Sequence, residues 1–282
     1  MTVSTDLKTG LDVAQLADLL AQCERESEMP AFIYAIPDAH NPLGVSMSLE
    51  NRKQLVGLAR RYQVPLVEDD PYGLLAYDHA PHVLPPLRAL DPDWVIYLGS
   101  FSKIIAPGLR LGWMAAPKAL LPRLQIIKDA ADLETSGLMQ KAVAAYLEAG
   151  HLPLHLTQLR AAYSARRDVM LGAMGRHFPA SATWTRPRAG MFIWAQFPPD
   201  IATMPLLHAA VDQEKVAYIP GIAFADAGAG TDHPARSAMR LSFSNSPLDQ
   251  IETGIRRLGR LLVAAADSPD HTPDRINAVV AG

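Results

Sequence analysis

Residues 96–110 read Ile-Tyr-Leu-Gly-Ser-Phe-Ser-Lys-Ile-Ile-Ala-Pro-Gly-Leu-Arg. An apolar run from Trp94 to Leu98 ends at Gly99. The polar turn Ser100-Phe101-Ser102-Lys103 follows, then Pro107-Gly108 and Arg110. The run has the length and composition of a β-strand. It therefore delivers Lys103 at a strand's carboxyl end, the edge where ligands sit in open α/β sheets. Two hydroxyls and a guanidinium beside an amine make a candidate anion cup. A lysine among serines is, taken alone, most often a solvated turn, so the rest of the chain has to supply the other parts.

Working outward, residues 31–36 (Ala-Phe-Ile-Tyr-Ala-Ile) form a continuous apolar run between Pro30 and Pro37. That pattern predicts a strand buried on both faces, the habit of a parallel sheet. Asp38 to Gly44 is a turn by composition. Ser48 is placed to cap a helix reaching about Tyr62, with Leu55, Leu58 and Ala59 on its inner face. Val64 to Val67 is a short strand ending in Glu68-Asp69-Asp70-Pro71-Tyr72, and Leu109 to Ala116 alternates as a further strand. Upstream, Leu16, Leu19, Leu20 and Cys23 mark one face of a helix over 11–28. Strand–helix–strand alternation predicts an α/β fold with a mainly parallel sheet and flanking helices. Asn41, Asp69 and Lys103 each follow a strand end on the same edge.

Residues 118–177 read as almost wholly helical, with Gly150 and Pro153 as breaks. From Trp184 the pattern changes. Strands at 190–196, 216–219 and 239–244, a helix at 206–214 and an amphipathic helix at 251–265 predict a smaller α+β carboxyl-terminal domain. The expected division is 1–160, 161–266 and a disordered tail over 267–282, which is rich in Asp, Pro, Ser and Thr.

Composition narrows the classes. Of 282 residues, 49% are hydrophobic and 20% charged, so the chain is globular. A net charge of −3 with no basic run argues against nucleic acid and anionic membrane surfaces. The single cysteine, Cys23, excludes an internal disulfide framework and fits a reducing compartment. The first residues lack a signal pattern and no apolar run reaches spanning length, so the expected location is cytoplasmic. His151 and His155 share a helical spacing of four, but no carboxylate or cysteine joins them at ligand spacing, and no metal is assigned.

Six segments carry a more specific message. They are Tyr34–Gly44 (YAIPDAHNPLG), Glu68–Tyr72 (EDDPY), Gly99–Gly112 (GSFSKIIAPGLRLG), Gly190–Trp194 (GMFIW), Ile219–Phe224 (IPGIAF) and Met239–Phe243 (MRLSF). In this order they resemble the class I/II aminotransferases, fold-type-I enzymes of pyridoxal 5'-phosphate. The nearest resemblance is to the 2-aminoadipate and aromatic aminotransferases, related to the aminotransferase-like half of certain bacterial regulators. It covers roughly residues 8–265.

The resemblance implies a role for each matching residue. Lys103 would form the Schiff base with the cofactor aldehyde and move the proton at the substrate α-carbon. Asp69 would pair with the pyridine nitrogen, while Tyr72 and Asn41 would hydrogen-bond the ring oxygen. Ser100, Ser102 and Arg110 would bind the phosphate, and Arg240 would clamp the substrate α-carboxylate. The implied partners are an α-amino acid, a 2-oxo acid and a second subunit, as a homodimer or a complementary chain. Leu43 and Ala189 depart from the usual Thr and Gly. Family members also carry further amino-terminal segments that no residues here match. The expectation is therefore an incomplete large domain with an exposed apolar sheet edge and weakened phosphate binding. An inactive remnant and a regulator-type effector module stay open beside the transaminase.

Overall fold

The computed structural model describes residues 1–77, 84–226 and 228–267. The tail expected over 267–282 lies, apart from the backbone of Asp267, outside the described residues. Contacts divide the chain into two compact units. Unit 1 comprises Met1–His40, Val45–Arg160 and Arg188–Gly190; unit 2 comprises Asn41–Gly44, Ala161–Pro187 and the chain from Met191.

Unit 1 opens with a small antiparallel hairpin, β1 (Thr5–Asp6) and β2 (Gly10–Leu11), which feeds α1 (Val13–Glu26). Asp12 caps α1 by accepting from the backbone N–H of Gln15 at 3.0 Å. Then come β3 (Ile33–Ala35), α2 (Leu49–Tyr62), β4 (Leu66–Asp69), the short α3 (Leu87–Leu90), β5 (Val95–Ser100) and β6 (Gly112–Ala115). Ser48 caps α2 through the N–H of Asn51, as its position predicts. The strands form one sheet in the order β3-β4-β5-β6. β3, β4 and β5 run parallel in register, Ile33 beside Leu66 beside Val95. β6 returns antiparallel to β5, so the sheet is mixed at one edge.

One face of this sheet carries the core. Ile33, Ala35, Leu66 and Val95 pack with Leu16 and Leu20 of α1, Leu55, Val56 and Ala59 of α2, and Leu87. Each such fully buried leucine contributes about 1.5–3 kcal/mol. The other face is more open. Phe32 and Tyr34 are 55% and 51% exposed, so the run over 31–36 is buried on one face and not on both. An apolar run tells which residues tolerate burial, not what covers them.

Unit 1 also contains α4 (Leu121–Ala131), α5 (Gly137–Glu148) and the first part of α6 (His151–His177). Gly150, at φ +72°, ends α5 as expected. Pro153 does not break the next helix. It stands in the first turn of α6, where no helical N–H bond is lost. Unit 2 holds the rest of α6, a four-stranded sheet and two helices. The sheet order is β7 (Thr183–Trp184), β8 (Phe192–Gln196), β10 (Ala238–Ser242), β9 (Ile219–Pro220), all antiparallel. α7 (Thr203–Asp212) and α8 (Leu248–Asp267) complete it. No helix among the described residues is long and apolar enough to cross a membrane.

A residue the sequence reading passed over holds the loop after β3. Arg52 is fully buried on α2, one turn before Leu55 and Val56. Its guanidinium donates to the carbonyls of Met47 (3.2 Å), Pro85 (3.1 Å) and Pro37 (3.3 Å) and to the Asp38 carboxylate (2.6 Å). Pro37 and Met47 are also joined directly, the N–H of Met47 donating to Pro37 at 2.8 Å. Removing one partner of a buried ion pair strands the other. Arg52→Met is therefore expected to lower unfolding free energy by about 3–5 kcal/mol, read from urea denaturation.

Candidate active site

The parallel register sets the strand ends of β4 and β5 side by side, with Asp69 opposite Leu98. Strand period two then splits the acidic run Glu68-Asp69-Asp70. Glu68 faces the core and is fully buried, accepting backbone N–H bonds from Leu87 (2.7 Å) and Arg88 (2.8 Å). Asp69 faces the open side, where its Oδ2 accepts from the Tyr34 hydroxyl. Asp70 accepts from the N–H of Gly73 at 2.6 Å and from the Tyr97 hydroxyl at 3.0 Å. These two bonds hold the turn that carries Tyr72, whose side chain is buried. Burial, followed by the neighbouring Asp38 carboxylate, pushes the Asp70 carboxyl above its ordinary range.

Beyond β5 the chain turns tightly at Phe101–Ala106. The N–H groups of Ile105 and Ala106 both return to the carbonyl of Phe101, and the N–H of Phe101 donates to Leu111. Ser100 Oγ accepts from the N–H of Ser102 at 3.1 Å, so both serines belong to one turn with Lys103. Gly99 is required here. A Cβ on it would lie 2.2 Å from the indole of Trp113, which also packs against Phe101 at a tilt of 44°, ring centroids 4.6 Å apart. Arg110 adopts φ +50° and is exposed, its guanidinium reaching the Pro107 carbonyl at 3.5 Å.

Asn41 and Arg240 meet within unit 2. Arg240 Nη1 donates to Asn41 Oδ1 at 2.6 Å, and the guanidinium lies over the rings of Phe192 (4.1 Å) and Phe224 (5.1 Å). Asn41 thus presents its amide nitrogen as the remaining donor. Gly44 closes this loop at φ +68°, and a Cβ there would lie 2.4 Å from the Phe192 carbonyl. The Asn41–Pro42 peptide is cis. Neighbouring His40 stays in unit 1, its pKa lowered by burial to about 4, with Nδ1 buried and without a hydrogen-bond partner among the described residues. It is neutral at ordinary pH and belongs to the wall between α1 and β3.

The structure thus gathers Asp69, Tyr72 and the Ser100–Lys103 turn in unit 1, and Asn41 with Arg240 in unit 2. Sequence reasoning missed Tyr34. Its signal was available in retrospect: a tyrosine inside an apolar strand needs a partner for its hydroxyl.

With this geometry in view, the comparisons are specific. A model of the family "Aminotransferase class I and II" matches residues 2–258. The chain belongs to the class I and II aminotransferases. It is 39% identical over 254 residues to aromatic-amino-acid aminotransferase 1 of Thermococcus litoralis, a match covering 90% of this chain and 59% of that protein. The alpha-aminoadipate aminotransferase LysN of Thermus thermophilus, solved with N-(5'-phosphopyridoxyl)-L-leucine, superposes with a TM-score of 0.84. Identity is 34%, over 94% of this chain and 66% of LysN. An uncharacterized HTH-type transcriptional regulator of Bacillus subtilis, YisV, is 35% identical over 84% of this chain and 47% of its own length. The chain spans less than two thirds of each of these relatives.

Glu68 gives a pH-dependent signature behind the site. Burial lifts its carboxyl from the ordinary 4.5 to about 7, against the two N–H bonds it accepts. The folded state therefore favours the protonated form. Its contribution to stability is full below about pH 4.5 and is lost as pH rises through about 7. Unfolding free energy measured across that window is expected to contain a falling component that Glu68→Gln removes. The Gln variant is also less stable overall, because one of the two backbone N–H groups loses its acceptor.

Proposed function

We propose that the chain is a pyridoxal 5'-phosphate-dependent aminotransferase that moves an amino group between an α-amino acid and a 2-oxo acid, with Lys103 as its catalytic residue. The observation that carries this reading is the pair of adjacent parallel strand ends, one bearing Asp69 and the next the Lys103 turn, in a chain of this family. The donor set fits the cofactor. An amine suits its aldehyde, a carboxylate its ring nitrogen, a phenol its ring oxygen, and hydroxyls with a guanidinium its phosphate.

When bound, pyridoxal phosphate supplies an aldehyde that bonds amines and a ring that accepts the electron pair released at the substrate α-carbon. The rest is the work of side chains. Lys103 Nζ would hold the cofactor, and the same amine would take and return the proton at the substrate α-carbon. Asp69, with Oδ2 engaged by Tyr34, would offer Oδ1 to the ring N–H. Tyr72 and the Asn41 amide nitrogen would donate to the ring oxygen. Ser100, Ser102 and Arg110 would bind the phosphate. Arg240 binds the α-carboxylate and so orients the α-proton for abstraction.

In this reading unit 1 is the cofactor-binding large domain and unit 2 the small domain, with the boundary near residue 160. We place the enzyme in the cytoplasm, in keeping with its one buried, free cysteine. It works as a homodimer or with a complementary chain. The likeness to YisV supports a second reading, a ligand-sensing module using the same side chains; a product assay with amino and oxo acids separates the two.

Borohydride reduction of cofactor-loaded protein, followed by peptide mass spectrometry, is expected to leave the phosphopyridoxyl mass on Lys103, and Lys103→Ala is expected to lose it. A label on another lysine, or none, overturns the reading. Arg240→Lys is expected to lower kcat/KM for amino acids by about ten- to a hundredfold, the worth of a charge-assisted hydrogen bond of about 1.5–3 kcal/mol, read in steady-state assays.

A further inference from the structure

We propose that Tyr34 is a positioning residue for Asp69, fixing the carboxylate that receives the cofactor's ring nitrogen; the inference rests on the function proposed above. Tyr34 lies on β3, beside Val67 of β4 in the parallel register. Asp69 is two residues further along β4, so both side chains stand on the same, open face of the sheet. The Tyr34 hydroxyl donates to Asp69 Oδ2 across 35 positions of sequence. Among the described residues this is the hydrogen bond that Asp69 makes, which leaves Oδ1 for a second donor.

The surroundings separate this role from packing. Ile33 and Ala35, on either side of Tyr34, are buried in the core and anchor the backbone beneath the ring. The ring itself is half exposed, so little apolar stabilisation depends on it. What the strand supplies at this position is a phenol on a rigid base, aimed at a carboxylate. An isolated carboxylate rotates about its Cβ–Cγ bond. A bond to one oxygen fixes its plane and directs the in-plane lone pairs of the other. Tyr72, which also faces this cluster, lies close enough to act on Tyr34 electrostatically. Burial first, then the Asp69 carboxylate, holds the Tyr34 phenol above its ordinary range, so it remains a donor at any working pH.

The test is a double-mutant cycle of Tyr34→Phe and Asp69→Asn, read by the Kd for pyridoxal 5'-phosphate in equilibrium dialysis. Tyr34→Phe is expected to weaken binding about tenfold in the otherwise native protein, the low end for a hydrogen bond to a charged group. In the Asp69→Asn background it is expected to change nothing, because the two residues act as one. Equal losses in both backgrounds, or no loss in either, overturn the proposal. A second readout needs no cofactor. With tyrosine labelled at Cζ, the Tyr34 carbon-13 resonance (assigned by its absence in Tyr34→Phe) is expected to titrate at lower pH in Asp69→Asn than in the native protein. An unmoved titration also overturns the pairing. If the native protein takes up no cofactor at all, the functional reading falls, and the carbon-13 titration still decides whether Tyr34 is held by Asp69.

Discussion

The loop that follows β3 depends on one buried cation. Arg52 reaches three carbonyls and a carboxylate from a helix face that otherwise carries leucine, valine and alanine. Two of those carbonyls, Pro37 and Met47, stand at the two ends of the loop, so the guanidinium ties its neck shut. His40 and Val45 add a rung at 2.7 Å, and Ala39 N–H finds Ser46 Oγ at 2.9 Å. The unit 1 residues of the loop, up to His40 and from Val45, start from that fixed neck. Placing an arginine there is costly unless every donor is met, and a satisfied guanidinium in low dielectric is correspondingly hard to replace.

A second constraint is the two-residue period of β4. Three acidic residues in a row would repel each other on a helix or a coil. On a strand they are dealt to opposite faces. Glu68 goes into the core to hold the start of α3, and Asp69 goes to the open side, ready for a cation or an N–H donor. Asp70, just past the strand, stiffens the turn before Tyr72. Asp69 is thus bracketed by two carboxylates that hold backbone N–H groups.

Much of this could be read from the chain. Continuous apolar runs located β3 to β5, Ser48 marked its helix, and the glycine after Leu98 marked the lysine turn. What escaped did so for physical reasons. A cation on a helix reads as solvated until its partners are known, and Arg52's partners lie in segments remote from it. Alternation in Leu111, Trp113 and Ala115 identifies a strand but not its direction, so the antiparallel β6 was not foreseen. Two-residue strands such as Thr5–Asp6 are too short for any period to show. Pro153 looked like a break because its tolerance depends on where the helix begins. The candidate site could be proposed as a list of side chains; the Tyr34–Asp69 bond, made across a sheet, could not.

The Asn41–Arg240 bond joins positions 199 residues apart. On the ribosome, Asn41 is made 199 residues before Arg240 and must wait that long before its partner exists. Contacts of such long range form late, since the closing of a long loop precedes any gain from it. β3, β4 and β5 of unit 1 can pair while unit 2 is still being synthesised, but the loop over 41–44 cannot find its final neighbours until Arg240 has emerged. A ribosome that stops short of residue 240 would release a chain with the lysine turn and no arginine to meet Asn41. The order of synthesis thus withholds this part of the candidate site until residue 240 has been made.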